Sequence, residues 1–252
     1  MPWNKRLLLL AGLALFLLLH RPYVLTPASH AAAYPAGEKL SYRITWSNLI
    51  EAGTAELTVG QPDTDAGTVR LQLKAQNTPA ISKLYTFSDD FVSTVDLGYG
   101  APRQYEKRFV DKTRNIHETT LLDQFGRSAR FTDSKGERRS FPIELGTQDP
   151  ISLLYGIRNL GLQPGLRAIF PVIDGGKIYS VEIRVTGTEL ISTQLGSFQT
   201  HRVEATIRDA GGNPQPDKQI TVWFSDDDRR VPVLASVFLR VGAALVELVG
   251  RN

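Results

Sequence analysis

The chain has 252 residues, with 29 Lys and Arg against 26 Asp and Glu, 42% hydrophobic residues and no cysteine. The missing cysteine excludes disulfides, thiolate metal sites and a lipid anchor carried on an N-terminal Cys. Lys5, Arg6 and Arg21 lie in a leading segment without acidic residues, and without those three the charges balance at 26 of each sign, so charge gives no ground for a nucleic-acid partner.

Residues 1–33 read as a secretory signal peptide. Lys5 and Arg6 precede an unbroken apolar run from Leu7 to Leu19, and Ser29 to Ala33 offers two small-x-small cleavage sites. A helix of about 13 residues spans about 20 Å, short of the roughly 30 Å hydrocarbon core. Cleavage is therefore expected, with retention as an inner-membrane tether the alternative. Residues 34–252 then form a single β-rich domain, long enough to bury an ample core.

Period-two alternation dominates the rest of the chain. Leu40, Tyr42, Ile44 and Trp46 alternate with polar residues, as do Val69, Leu71, Leu73 and Ala75. Tyr179, Val181, Ile183 and Val185 repeat the pattern, followed by Val203, Ala205 and Ile207, and then by Ile220, Val222 and Phe224. Turn signals separate the strands, among them Gln61-Pro62-Asp63, Asp133 to Gly136, Asp174-Gly175-Gly176 and Asp209 to Pro216. Asp89-Asp90 reads as a turn at the entrance of a strand, and Arg138-Arg139 as part of another turn. One segment breaks the rhythm. Asp149 is a good N-cap, Pro150 suits the first helical position, Ile151, Leu154, Tyr155 and Arg158 share a face, and Gly161 is a natural stop. The expected fold is all-β and antiparallel: a barrel-like or paired half-barrel sheet with one short internal or plugging helix at about 149–160.

Several segments occur together in a fixed order: Gly37-Glu38-Lys39-Leu40-Ser41-Tyr42, the helix from Asp149 to Arg158, and Asp174-Gly175-Gly176-Lys177-Ile178-Tyr179. Leu195-Gly196-Ser197-Phe198, Val222 to Asp227, Arg230-Val231-Pro232-Val233 and Val241 to Val249 complete the series. Over nearly all of 37–249 the chain resembles the family of exported bacterial proteins catalogued as domain of unknown function 3108. The resemblance implies a secreted β-rich domain of Gram-negative envelopes and brings no catalytic residues with it.

Motifs of catalysis are sparse. His117 and His201 stand in no metal-ligand spacing, and both read as strand residues on solvated or half-buried faces. No GxSxG elbow or phosphate-cradling glycine loop occurs. Asp226-Asp227-Asp228 lacks the spacing of a calcium loop and reads as a hairpin turn neutralised by Arg229 and Arg230. Trp223 points away from the core face and is a candidate sugar platform. No cofactor and no metal site is expected. The pattern favours a non-catalytic periplasmic or cell-envelope binding protein for an apolar or lipid-like ligand, such as a lipid-linked envelope molecule. The expected lining is Tyr42, Ile44, Trp46, Leu154 and Tyr155. The alternatives are an envelope glycan-acting enzyme with paired Asp/Glu, and a scaffold that meets a membrane-complex partner.

Overall fold

The computed structural model describes residues 34–46, 50–82, 87–111, 115–215, 219–239 and 242–252, so the signal-peptide expectation for 1–33 lies outside the described residues. The first half of the sheet comprises β1 (Lys39–Trp46), β2 (Ile50–Val59), β3 (Thr68–Asn77), β4 (Phe87–Asp96), β5 (Pro102–Asp111), β6 (Asn115–Asp123), β7 (Ser128–Asp133) and β8 (Arg138–Pro142). The second half comprises β9 (Arg167–Asp174), β10 (Lys177–Thr193), β11 (Gly196–Asp209), β12 (Gln219–Ser225), β13 (Pro232–Leu239) and β14 (Gly242–Arg251). A short turn of helix, α1 (Pro79–Ser82), precedes β4, and the main helix, α2 (Pro150–Arg158), separates the halves.

All 14 strands form one antiparallel sheet in the order β8-β7-β6-β5-β4-β3-β2-β1-β14-β13-β12-β11-β10-β9. Every neighbouring pair except β1–β14 is also consecutive in sequence, so short hairpins build each half and the pairing of the first strand with the last joins them. The sheet is barrel-like and unclosed, because β8 and β9 are its edges and do not pair.

Side chains meet across that seam in place of a ladder. Ile173 of β9 is fully buried against Leu122, Ala129 and Ile143, with Phe141 and Ile178 packed on the cluster. Lys107 of β5 reaches Asp174 at the end of β9, Nζ to Oδ1 2.8 Å. Gln148 bridges to β9 by donating its N–H to the Pro171 carbonyl and accepting from the Ile173 N–H, which covers part of an otherwise open edge.

Two local expectations are corrected. Arg138 and Arg139 open β8: the Asp133 carboxylate accepts from the Lys135 and Glu137 N–H groups, so the turn is complete before Arg138, which pairs with Thr132. Asp89 and Asp90 lie inside β4, paired with Ala75 and Lys74 of β3, where Asp90 accepts from Gln72 Nε2 at 2.6 Å. Local turn propensity loses to ladder pairing on both sides.

Helix α2 starts at a full capping box. Asp149 Oδ1 accepts from the Ile151 and Ser152 N–H groups, and Ser152 Oγ accepts from the Asp149 N–H, each at 2.9 Å. The helix ends at Arg158 with Asn159 as C-cap, two residues before Gly161. It is buried nearly all round, because it lies inside the curved sheet and serves two cores. Ile151 and Tyr155 join Tyr34, Leu40, Tyr42, Leu57, Leu71 and Tyr105 in the first half, while Leu153 and Ile157 join Phe170, Val181, Ile183, Val203 and Phe224 in the second. Leu154 packs on both clusters yet stays half-exposed, unlike the fully buried residue that the face Ile151-Leu154-Tyr155 leads one to expect.

Candidate functional site

The two halves are filled differently. Four tyrosines, Tyr34, Tyr42, Tyr105 and Tyr155, are buried in the core of the first. Tyr42 donates its hydroxyl to the Pro232 carbonyl at 3.0 Å and Tyr155 to Glu38 Oε2 at 3.3 Å, which satisfies both phenols in the interior. The second half presents mostly Val, Ile and Ala. Leu153 and Ile157 of α2 pack on this wall, and an apolar groove of about 420 Å³ remains beside them.

The groove's walls come from β9 to β13. Val172, Tyr179, Val181, Ile183, Val203 and Ala205 line one side and Ile220, Val222 and Val237 the other, with Pro150, Leu153, Leu154 and Ile157 of α2 closing one end. The register explains the continuity of the wall. Val181, Ile183 and Val185 of β10 pair with Ile207, Ala205 and Val203 of β11, and Ala205 pairs in turn with Ile220 of β12. Residues two apart on each strand share a face, so three consecutive strands present one apolar surface inward.

Asp174 supplies the charge in the lining. Its partner Lys107 also lies 3.6 Å from Glu118 Oε2. Burial works against the Lys107 ammonium, but Asp174 and Glu118 outweigh it and hold the group above the usual lysine range. Asp89, on the same side of the interior, is pushed up to about 6 by burial, with Lys107 pulling the other way.

Of the five expected lining residues, the structure brings Leu154 into the groove. Tyr42 and Tyr155 are core residues of the first half. Ile44 and Trp46 continue the alternating face of β1 beyond Tyr42 and are half-exposed. Trp46 pairs with Ala244, and Ala244 with groove-lining Val237, so Trp46 stands two strands from the wall. The wall residues themselves are legible in the sequence as alternating strand faces. The two halves differ in sequence by the contrast between tyrosine-rich and valine-rich faces.

The remaining candidates have structural partners. His201 Nε2 lies 2.7 Å from Asp226 Oδ1, and His117 is a half-exposed strand residue 3.9 Å from Glu106. Asp227 Oδ1 accepts from Ser225 Oγ and from the Arg229 and Arg230 N–H groups, which makes the acidic run a hairpin turn. The two arginines do more than neutralise it: Arg229 reaches Glu38 and the Asn252 carbonyl, and Arg230 reaches the Arg158 carbonyl. Trp223 Nε1 donates to Glu189 on the long β10–β11 hairpin, so one edge of its ring is already engaged. Among the described residues no group of three or more His, Cys, Asp or Glu is placed to hold a metal ion.

Comparison with known proteins adds the family. A family model described as "Protein of unknown function (DUF3108)" matches residues 41–249. No curated protein sequence matches. Among solved structures, a beta-barrel-like protein of domain of unknown function DUF1849 from Brucella abortus is similar at a TM-score of 0.62 and 9% identity, covering 87% of this chain and 98% of that one. A DUF1089 family protein from Pseudomonas aeruginosa is similar at a TM-score of 0.36 and 16% identity, covering 75% of this chain and 93% of that one.

Proposed function

This chain belongs to the DUF3108 family, and we propose that it is a non-catalytic binding protein of the bacterial cell envelope that holds an apolar, lipid-like ligand in the groove between α2 and strands β9 to β13. The observation that carries the reading is the groove itself. Its volume of about 420 Å³ falls in the range of about 300–1,000 Å³ typical of small-molecule sites. Its lining is aliphatic apart from Asp174, Tyr179 and Phe224, so an occupant gains mainly by leaving water. The envelope location is supported by the leader-like sequence of residues 1–33.

Leu154 belongs to this reading as a groove residue, and Ile44 and Trp46 as half-exposed apolar residues of β1 beyond Tyr42. Tyr42 and Tyr155 support the site from behind by holding α2 in place. Native mass spectrometry of the protein purified from its own envelope tests the reading. A retained single-chain or lipid-linked molecule is expected. A bound glycan, or mass equal to the bare chain even after gentle extraction, would count against it.

A further inference from the structure

The groove reading leaves open what head group its ligand carries, and the polar network beside Asp174 bears on that. Asp174 lies on the groove wall with 36% of its side chain exposed, although Oδ1 is committed to Lys107. Lys107 is also committed to Glu118, and its own side chain is 20% exposed, so the ammonium has little left to offer a newcomer. The register puts the rest of the network on the same inward face. Lys107 pairs with Phe91 of β4 and Glu118 of β6, and Asp89 lies two residues from Phe91 on the same face. Asp174 and Glu118 thus pair with one ammonium, which also acts by its charge on Asp89.

Asp89 Oδ1 is buried without a hydrogen bond, and Glu118 Oε2 is buried with an ion pair to Lys107 at 3.6 Å and no hydrogen bond. Buried acceptors without donors are costly, and a ligand that supplies donors relieves the cost. A ligand that brings further negative charge adds like-charge repulsion in a region of low dielectric. The geometry points to a specific class: the groove takes amphiphiles whose head group is a hydrogen-bond donor without negative charge, an amine above all, and it rejects fatty-acid carboxylates and phosphate heads. The tail lies along the walls of β10 to β12, and the head meets Asp174, the charged residue of the lining, with Glu118 and Asp89 adding negative charge behind it. This inference rests on the groove being a ligand site.

The test is displacement of Nile red, an uncharged probe, from the full chain by dodecylamine, dodecanol and dodecanoate at near-neutral pH and low ionic strength. Dodecylamine is expected to displace the probe at a concentration at least about ten-fold lower than dodecanoate, with dodecanol between them. In a Glu118→Gln, Asp89→Asn double variant that gap should close, while Nile red itself binds as before. For the native chain the preference should also shrink as pH falls through about 6, where Asp89 takes up its proton. Equal displacement by all three heads would overturn the head-group inference and leave the groove standing. Failure of Nile red to bind at all would overturn the groove reading and this inference with it. A gap unchanged in the double variant would place the selectivity elsewhere and overturn the assignment.

Discussion

Arg158 at the end of α2 and Glu38 before β1, 120 positions apart, form a two-pronged buried ion pair, Nη1 to Oε2 2.6 Å and Nη2 to Oε1 2.8 Å. Their side chains are 4% and 0% exposed. Burial pushes the Glu38 carboxyl up, but the hydrogen bonds and charges of Arg158 and Arg229 outweigh it and hold the group below the usual carboxylate range. Arg158 also donates from Nε and Nη2 to the Arg229 carbonyl. The pair therefore ties the helix to the start of β1 and to the β12–β13 turn, and so fixes the lid of the groove.

Removing one partner of such a pair leaves a buried charge uncompensated. Glu38→Leu should cost about 3–5 kcal/mol in urea denaturation. Adding Arg158→Met should recover much of that loss, since two apolar side chains of similar volume leave no orphan charge. If Glu38→Leu is nearly neutral, the pair does not hold the helix.

Asp149 gives the protein a pH dependence of defined sign. Burial raises its carboxyl from 3.8 to about 6, against the hydrogen bonds from Ser93, Ser152 and Ile151. The folded state therefore binds this proton more tightly than the unfolded state. The stability it contributes is fully present below about pH 4 and is lost as pH rises through about 6, to a full size of about 3 kcal/mol. Asp89, also raised to about 6, works in the same direction. Glu38 works in the opposite one, with stability lost as pH falls through its lowered value. Asp149→Asn keeps a good N-cap and should flatten the decline between about pH 4 and 6 in denaturant titrations. An unchanged slope would show that another group titrates there.

The β9–β10 turn should be sensitive at one glycine more than at its neighbour. Gly175 and Gly176 have φ of 56° and 64°, the left-handed pair of a two-residue hairpin. A Cβ on Gly176 would meet Phe131 Cγ at 2.7 Å and Arg139 Nη2 at 2.8 Å, whereas on Gly175 the nearest atom lies at 3.9 Å. Both alanine variants pay about 1–2 kcal/mol for the left-handed backbone, and Gly176→Ala should lose more because it pushes the seam apart. Equal melting temperatures for the two would mean that the hairpin does not press on β7 and β8.

The helix offers a paired comparison between core and groove. Leu153 is buried in the second core, and Leu153→Ala should cost about 2–5 kcal/mol. Leu154 is half-exposed over the groove, so Leu154→Ala should cost less stability yet weaken probe binding. The reverse order would put Leu154 in the core.

The strand faces, the helix with its Asp149 cap and the Asp226–Asp228 turn were all legible from residue order, because alternation and capping are local. The site was legible only in part. Tyr42 and Trp46 stand out as bulky aromatics, but Tyr42 is core and Trp46 is half-exposed two strands away, and the groove is lined by Val181, Ile183, Val203, Ala205 and Val222. The Glu38–Arg158 pair and the Lys107–Asp174 contact join residues far apart in sequence, and nothing local announces either.

The groove itself is tested most directly by titrating Nile red into the native chain and into an Ala205→Phe variant, which places a ring in the middle of the wall beside Ile183 and Ile220. Micromolar binding to the native chain, about −8 kcal/mol, is expected, with loss of binding in Ala205→Phe and the far-UV circular dichroism unchanged. Undiminished binding by Ala205→Phe, or no binding by the native chain, would contradict the groove reading.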